Sequence, residues 1–229
     1  MTNEKDPAIV GRVESEMQSL MNIEGKDLDY ELDRLLAIKY DVKDKTINDS
    51  SVKNITANIT LPVISIENFE LEEINQIISS KYTELFNTIK SESNNMANKY
   101  KYVVSYNAYD NVVEDKRILS VTIYDRIVDI QSNKNSTEKI TTYNIDFDSK
   151  EQIKQASVIL DYFGADCKEK IQTKIKDYLV EKNMIKETEY NYTYTGLENF
   201  YLKNNEFHIV FNQGDLVDEK YGILDIIIN

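Results

Sequence analysis

The C-terminal stretch Asn199 to Asn229 constrains this chain more than any other. Two apolar runs, Glu206–Phe211 and Ile223–Ile228, flank the polar link Asn212–Gly222. The first alternates with a strand's period, placing Phe207, Ile209 and Phe211 on one face and Glu206, His208 and Val210 on the other. The second reads Ile-Leu-Asp-Ile-Ile-Ile, too short for a helix, β-branched, and bounded by Gly222. An apolar terminus of this kind is an aggregation hazard as a free edge. It is therefore expected to pair within a sheet whose remaining strands and cover come from the preceding chain.

The preceding chain supplies both. Ile55 to Ile66 alternates as a strand, with Pro62 suited to an edge or a strand end. Leu71, Ile74, Ile77, Ile78, Tyr82, Leu85, Phe86 and Ile89 form one apolar stripe, which predicts a helix over Leu71–Lys90. Strands are expected over Lys99–Tyr109, Arg117–Asp129 and Ile140–Phe147. A second helix is expected over Cys167–Lys182, on the stripe Ile171, Ile175, Tyr178 and Leu179. Asp148 and Ser149 read as the cap of a short segment running to Phe163, and Tyr190–Tyr194 reads as hairpin-like. Helices and strands are segregated, which predicts an α+β class: a mainly antiparallel sheet with two covering helices. Residues 1–45 read as an amphipathic helical appendage, with Pro7 in a first turn, Gly25 as a break and Asp27 as an N-cap. Polar residues 44–54 read as a linker, leaving residues 46–229 as a single domain.

Composition narrows the function. A chain of 229 residues can bury a sizeable core. Its net charge of -13 argues against nucleic acid and anionic lipid as partners, because both are held by clustered Lys and Arg. Such a charge favours cationic partners. The one cysteine, Cys167, excludes an intrachain disulfide, and no 18-residue apolar run or signal peptide is visible.

The usual catalytic groupings are missing from the sequence. His208 is the only histidine, so a nucleophile–base device would rest on it alone. His/Cys metal sets lack ligands, and the six glycines form no phosphate loop. Asp146, Asp148 and Glu151 resemble part of a calcium loop, without its Gly and terminal Glu; capping by Asp148 or Ser149 is the simpler reading. No catalytic, cofactor-binding or metal residue is assigned. Carboxylates are abundant enough that a glycosidase-like pair stays open.

Several short motifs, in order, carry a resemblance. They are Ile74-Asn75 on the first helix, Ile118-Leu119-Ser120, Tyr143-Asn144-Ile145-Asp146 and Phe200-Tyr201-Leu202. After them come Phe207–Asn212, Asp215-Leu216, Gly222 and Ile223–Ile228. Over residues 55–229 the chain resembles the paired domains of unknown function found in lysozyme-sensing anti-sigma factors and in front of a peptidoglycan deacetylase. It departs from them with Gly214 where Tyr is usual, Asp218 where Pro is usual, and Ser132–Ser136 in place of a Gly-Gly-Ala-His hairpin. The resemblance implies a bacterial cell-envelope binding or sensing module, extracytoplasmic, with lysozyme, a cell-wall component or a sigma factor as partner; with no signal peptide or spanning run visible, a cytoplasmic location is the alternative. In such relatives a cytoplasmic tail of comparable length to residues 1–45 engages the sigma factor. The alternative is a hydrolase of peptidoglycan or a related glycan, acting through two carboxylates.

Overall fold

The computed structural model describes residues 33–34, 37–93, 98–113, 116–154, 156 and 167–228. Of the helical appendage expected over residues 1–45, residues 1–32, 35 and 36 lie outside these residues, and Tyr40 to Lys45 is strand rather than helix. The part beyond residue 156 of the segment expected to run to Phe163 also lies outside them. The order is β1 (Tyr40–Val52), β2 (Ile55–Ile66), β3 (Phe69–Glu70), α1 (Glu72–Glu92), β4 (Tyr100–Val113), β5 (Lys116–Asp129), β6 (Lys134–Asp146), β7 (Gln152–Ile153), α2 (Cys167–Glu181), β8 (Asn199–Lys203), β9 (Glu206–Phe211) and β10 (Leu224–Ile227). Short 3-10 turns occupy Glu187–Glu189 and Glu219–Tyr221. The class is α+β, as expected.

The first sheet runs β1-β2-β4-β5-β6-β7, with β3 beside β2. Its pairs are antiparallel except β2 with β4, which are joined through α1 and pair in parallel from Ile55/Tyr100 to Ile59/Val104. Ile74, Ile78, Tyr82 and Phe86 of α1 pack on Leu119, Val121, Ile123 and the inner residues of β2. Asn75 ties helix to strand as a neighbouring strand would: its side chain accepts from Ile64 N at 2.9 Å and donates to Ile64 O at 3.0 Å.

The polar stretch expected as a linker is strand. β1 begins at Tyr40 and pairs along β2 from Tyr40/Ile66 to Val52/Ile55. Its Asp, Asn and Ser residues mislead because β1 has a neighbour on one side only and is largely exposed, so pairing with β2 overrides weak local preference.

The second sheet, β10-β9-β8, holds the C-terminal runs as an antiparallel meander. Asn204 and Asn205, both at positive φ, close the two-residue β8–β9 turn. Gly222, at φ 68° and ψ -150°, turns the chain into β10 in a region that only glycine occupies readily. One face of this sheet, with Phe200, Leu202, Phe207, Ile209, Leu224 and Ile226, packs on Ile171, Ile175 and Leu179 of α2. The other face sets Tyr201 and Val210 against Ile140, with Tyr109 and Tyr124 alongside.

The hazard of a free edge at β8 is met by side chains. Asn144 Nδ2 donates to Phe200 O at 2.8 Å, and Asn111 Nδ2 donates to Leu202 O at 3.1 Å. Leu202 N donates to Ser120 Oγ at 2.9 Å, and that hydroxyl donates onward to Asn144 Oδ1 at 2.6 Å. Ser120, Asn144 and Asn111 are almost wholly buried, so these bonds satisfy backbone groups that water cannot reach. The expected hairpin at Tyr190–Tyr194 is instead an irregular strap. Gln172 of α2 grips it, accepting from Tyr194 N at 2.6 Å and donating to Tyr192 O and the Tyr190 hydroxyl.

Candidate functional site

The second sheet brings together the chain's only histidine, a carboxylate and a tyrosine. Tyr201 lies opposite His208 in the β8–β9 register, and Asp225 sits one diagonal step away on β10. Alternation therefore aims all three side chains to the face turned toward the first sheet. The Tyr201 ring stacks on the His208 ring at 4.5 Å and on Tyr109 at 5.7 Å. The Tyr201 hydroxyl donates to Asp225 Oδ2 at 2.6 Å, and His208 Nδ1 lies 2.8 Å from Asp225 Oδ1.

The electrostatics follow from this geometry. Burial pushes the Asp225 carboxyl upward, but hydrogen bonds from His208 and Tyr201 outweigh it and hold the group below the ordinary carboxylate range. Burial first, then the neighbouring Asp225 carboxylate, raises the Tyr201 phenol well above its usual value. With Asp225 anionic, His208 Nδ1–H is the donor of that bond. Nε2 is buried, makes no hydrogen bond, and lies 3.9 Å from Glu206 Oε2. Tyrosine, carboxylate and imidazole here can hold a proton and orient the ring. The sequence singled out His208 for its chemistry, and Tyr201 and Asp225 only as members of apolar motifs; strand register alone makes them its neighbours.

The calcium-like trio is dispersed among other tasks. Asp146 Oδ1 accepts from Asp148 N at 2.8 Å and Ser149 N at 3.1 Å, while Oδ2 takes Lys116 at 3.0 Å. Against burial, which raises it, these contacts hold the Asp146 carboxyl low. Asp148 pairs with Arg34 at 2.7 Å. Ser149 and Asp148 lie in the turn between β6 and β7, so neither caps a helix there. Glu151 lines an open cleft of about 310 Å³ with Glu72, Glu73, Ile77, Lys150 and Lys154, at the start of α1. Cys167 opens α2 as expected and is buried in the core beneath the second sheet.

No helix among the described residues is long and apolar enough to cross a membrane. No family model matches the sequence. No curated protein matches it either. Among solved structures, the chain is similar to a DUF3298 family protein from Pseudomonas aeruginosa PAO1, with 7% identity and a TM-score of 0.50 over 83% of this chain and 90% of that one. A DUF3298 family member from Bacteroides fragilis overlays 84% of this chain and 90% of its own length, with 15% identity and a TM-score of 0.41. At 7% identity, the likeness to the first is one of fold: the chain shares the architecture of a protein from a domain family of unknown function.

Proposed function

We propose that this chain is a non-catalytic binding or sensing module of the bacterial cell envelope, of the anti-sigma type. Its partner on this reading is a cationic protein such as lysozyme, or a cell-wall component. One observation carries the reading: three of the motifs that resemble lysozyme-sensing proteins, Ile118-Leu119-Ser120, Tyr143-Asn144-Ile145-Asp146 and Phe200-Tyr201-Leu202, meet where the two sheets join. Ser120, Asn144 and the Phe200–Leu202 strand touch one another directly, which is what a shared fold requires of a shared motif. The net charge of -13 supports the cationic partner. An extracytoplasmic location goes with the same reading.

The cleft with Glu72, Glu73 and Glu151 favours the second reading, a carboxylate-dependent hydrolase of peptidoglycan. Titration calorimetry against lysozyme, beside an assay for soluble fragments released from peptidoglycan, separates the two. Heat of binding without fragment release is expected. Fragment release that is lost in E151Q or E73Q would replace the binding reading with the hydrolytic one.

A further inference from the structure

We propose that the groove between the β2–β3 hairpin tip and the start of α1 is the surface on which the cationic protein partner docks. The inference rests on the binding reading above and names the part of the chain that serves it. Five large apolar side chains are exposed among the described residues, and two of them, Phe69 at 67% and Ile77 at 42%, flank this groove. Ile77 lines the cleft of about 310 Å³, with Leu71 and Ile74 beside it. Phe69 is tied to the cleft wall through Lys150, a lining residue whose ammonium lies 5.2 Å from the centre of the Phe69 ring. Glu67 and Asn68, at φ 53° and 67°, close the two-residue turn that pairs Ile66 with Phe69. An aromatic side chain carried on so short a hairpin loses little conformational entropy on binding.

The charges select the occupant. Glu67, Glu70, Glu72, Glu73 and Glu151 are all exposed about the groove, against Lys150 and Lys154. Lys150 pairs with Glu67 at 2.8 Å, whereas the other four carboxylates make no ion pair among the described residues. The helix macrodipole accounts for Glu72 and Glu73 in the first turn of α1, but not for Glu70, Glu151 or the exposed ring. An arginine or lysine side chain fits both features, with its aliphatic stem on Leu71 and Ile77 and its charge among the carboxylates. A guanidinium can also stack on the Phe69 ring. An acidic partner would meet like charge here.

The test measures lysozyme binding to the full chain by titration calorimetry at about 0.02 M salt, where exposed charges are least screened. F69A removes only an exposed ring and should weaken binding by roughly fivefold or more. E72Q/E73Q should weaken it roughly threefold to fivefold. E169Q/E181Q makes the same change of charge on the exposed side of α2, under the other sheet, and should change binding by less than about twofold. Circular dichroism checks that each variant is folded. Lysozyme binding that is unchanged in F69A, or weakened equally by the two double variants, overturns the surface and keeps the sensor reading. If lysozyme does not bind, tri-arginine amide is titrated into the chain with labelled isoleucine methyls. A saturable Ile77 shift that E72Q/E73Q abolishes keeps the surface and removes lysozyme as the partner. An Ile77 signal unmoved by tri-arginine overturns the surface.

Discussion

The backbone amide of Leu202 donates to the hydroxyl of Ser120 at 2.9 Å, joining an edge strand of one sheet to the face of the other. Ser120 is fully buried and its hydroxyl donates to Asn144 Oδ1, so one hydroxyl serves both sheets. Replacing it with valine leaves Leu202 N and Asn144 Oδ1 without partners. Each lost partner of this kind costs about 1–3 kcal/mol. S120V and N144L should each lower the urea midpoint by that order. The pair should be less than additive, because both remove the same Ser120–Asn144 bond. Midpoints equal to wild type would mean that the second sheet is held by apolar packing alone.

Arg117 is the most demanding charge in the fold. Its guanidinium binds Asp110 at 3.0 and 2.6 Å and donates to Ile38 O at 2.8 Å, under the Phe147 ring at 4.4 Å. Both side chains are nearly buried. Removing one partner strands a charge, at about 3–5 kcal/mol. D110L should therefore destabilise strongly, and D110L with R117M should recover much of the loss. Equal destabilisation in single and double variants, read from denaturant melts, would contradict this.

The N-terminal boundary is tested by truncation. A chain lacking residues 1–45 loses the pairing of Tyr40 to Lys45 with β2, and with it the Tyr40 ring packed edge-on against Phe147 at 5.4 Å. Its melting temperature should fall by several degrees, whereas a chain starting at residue 37 keeps all of β1. An unchanged melt after removal of residues 1–45 would show that the first half of β1 contributes nothing.

These elements also show what the sequence could say. β2 and β9 have the bounds their alternation predicts, and α1 follows its apolar stripe to within two residues at its end. Gly222 is legible because a glycine before an aliphatic run marks a turn that other residues resist. β1 was hidden, since an exposed edge strand needs little apolar alternation. Asn75 and Ser120 stood out as motif residues, but their partners Ile64 and Leu202 belong to other elements. The Tyr201–His208–Asp225 grouping was invisible for the same reason: it spans β8, β9 and β10 and exists only in register.

Stability should depend on acid in a defined direction. The carboxyls of Asp225, Asp146 and Glu198 all sit below their ordinary range in the folded chain, despite the burial that raises them, because hydrogen bonds outweigh it. Groups lowered by folding stabilise above the unfolded carboxylate value of about 4, and that contribution is lost as pH falls through the folded values. Unfolding free energy should thus decline below about pH 4. D225N should be less stable than wild type at neutral pH, and the gap should narrow as the solution becomes acid. A gap that is constant with pH would mean that Asp225 is not held ionised by His208 and Tyr201.

The proposed capture of a cationic protein by this acidic chain is tested most directly by the salt dependence of its association rate with lysozyme. Surface plasmon resonance with the immobilised full chain separates the rates. Electrostatic capture predicts an association rate that falls severalfold between about 0.02 M and 0.2 M salt, with the dissociation rate nearly unchanged. No association, or an association rate indifferent to salt, would contradict the account.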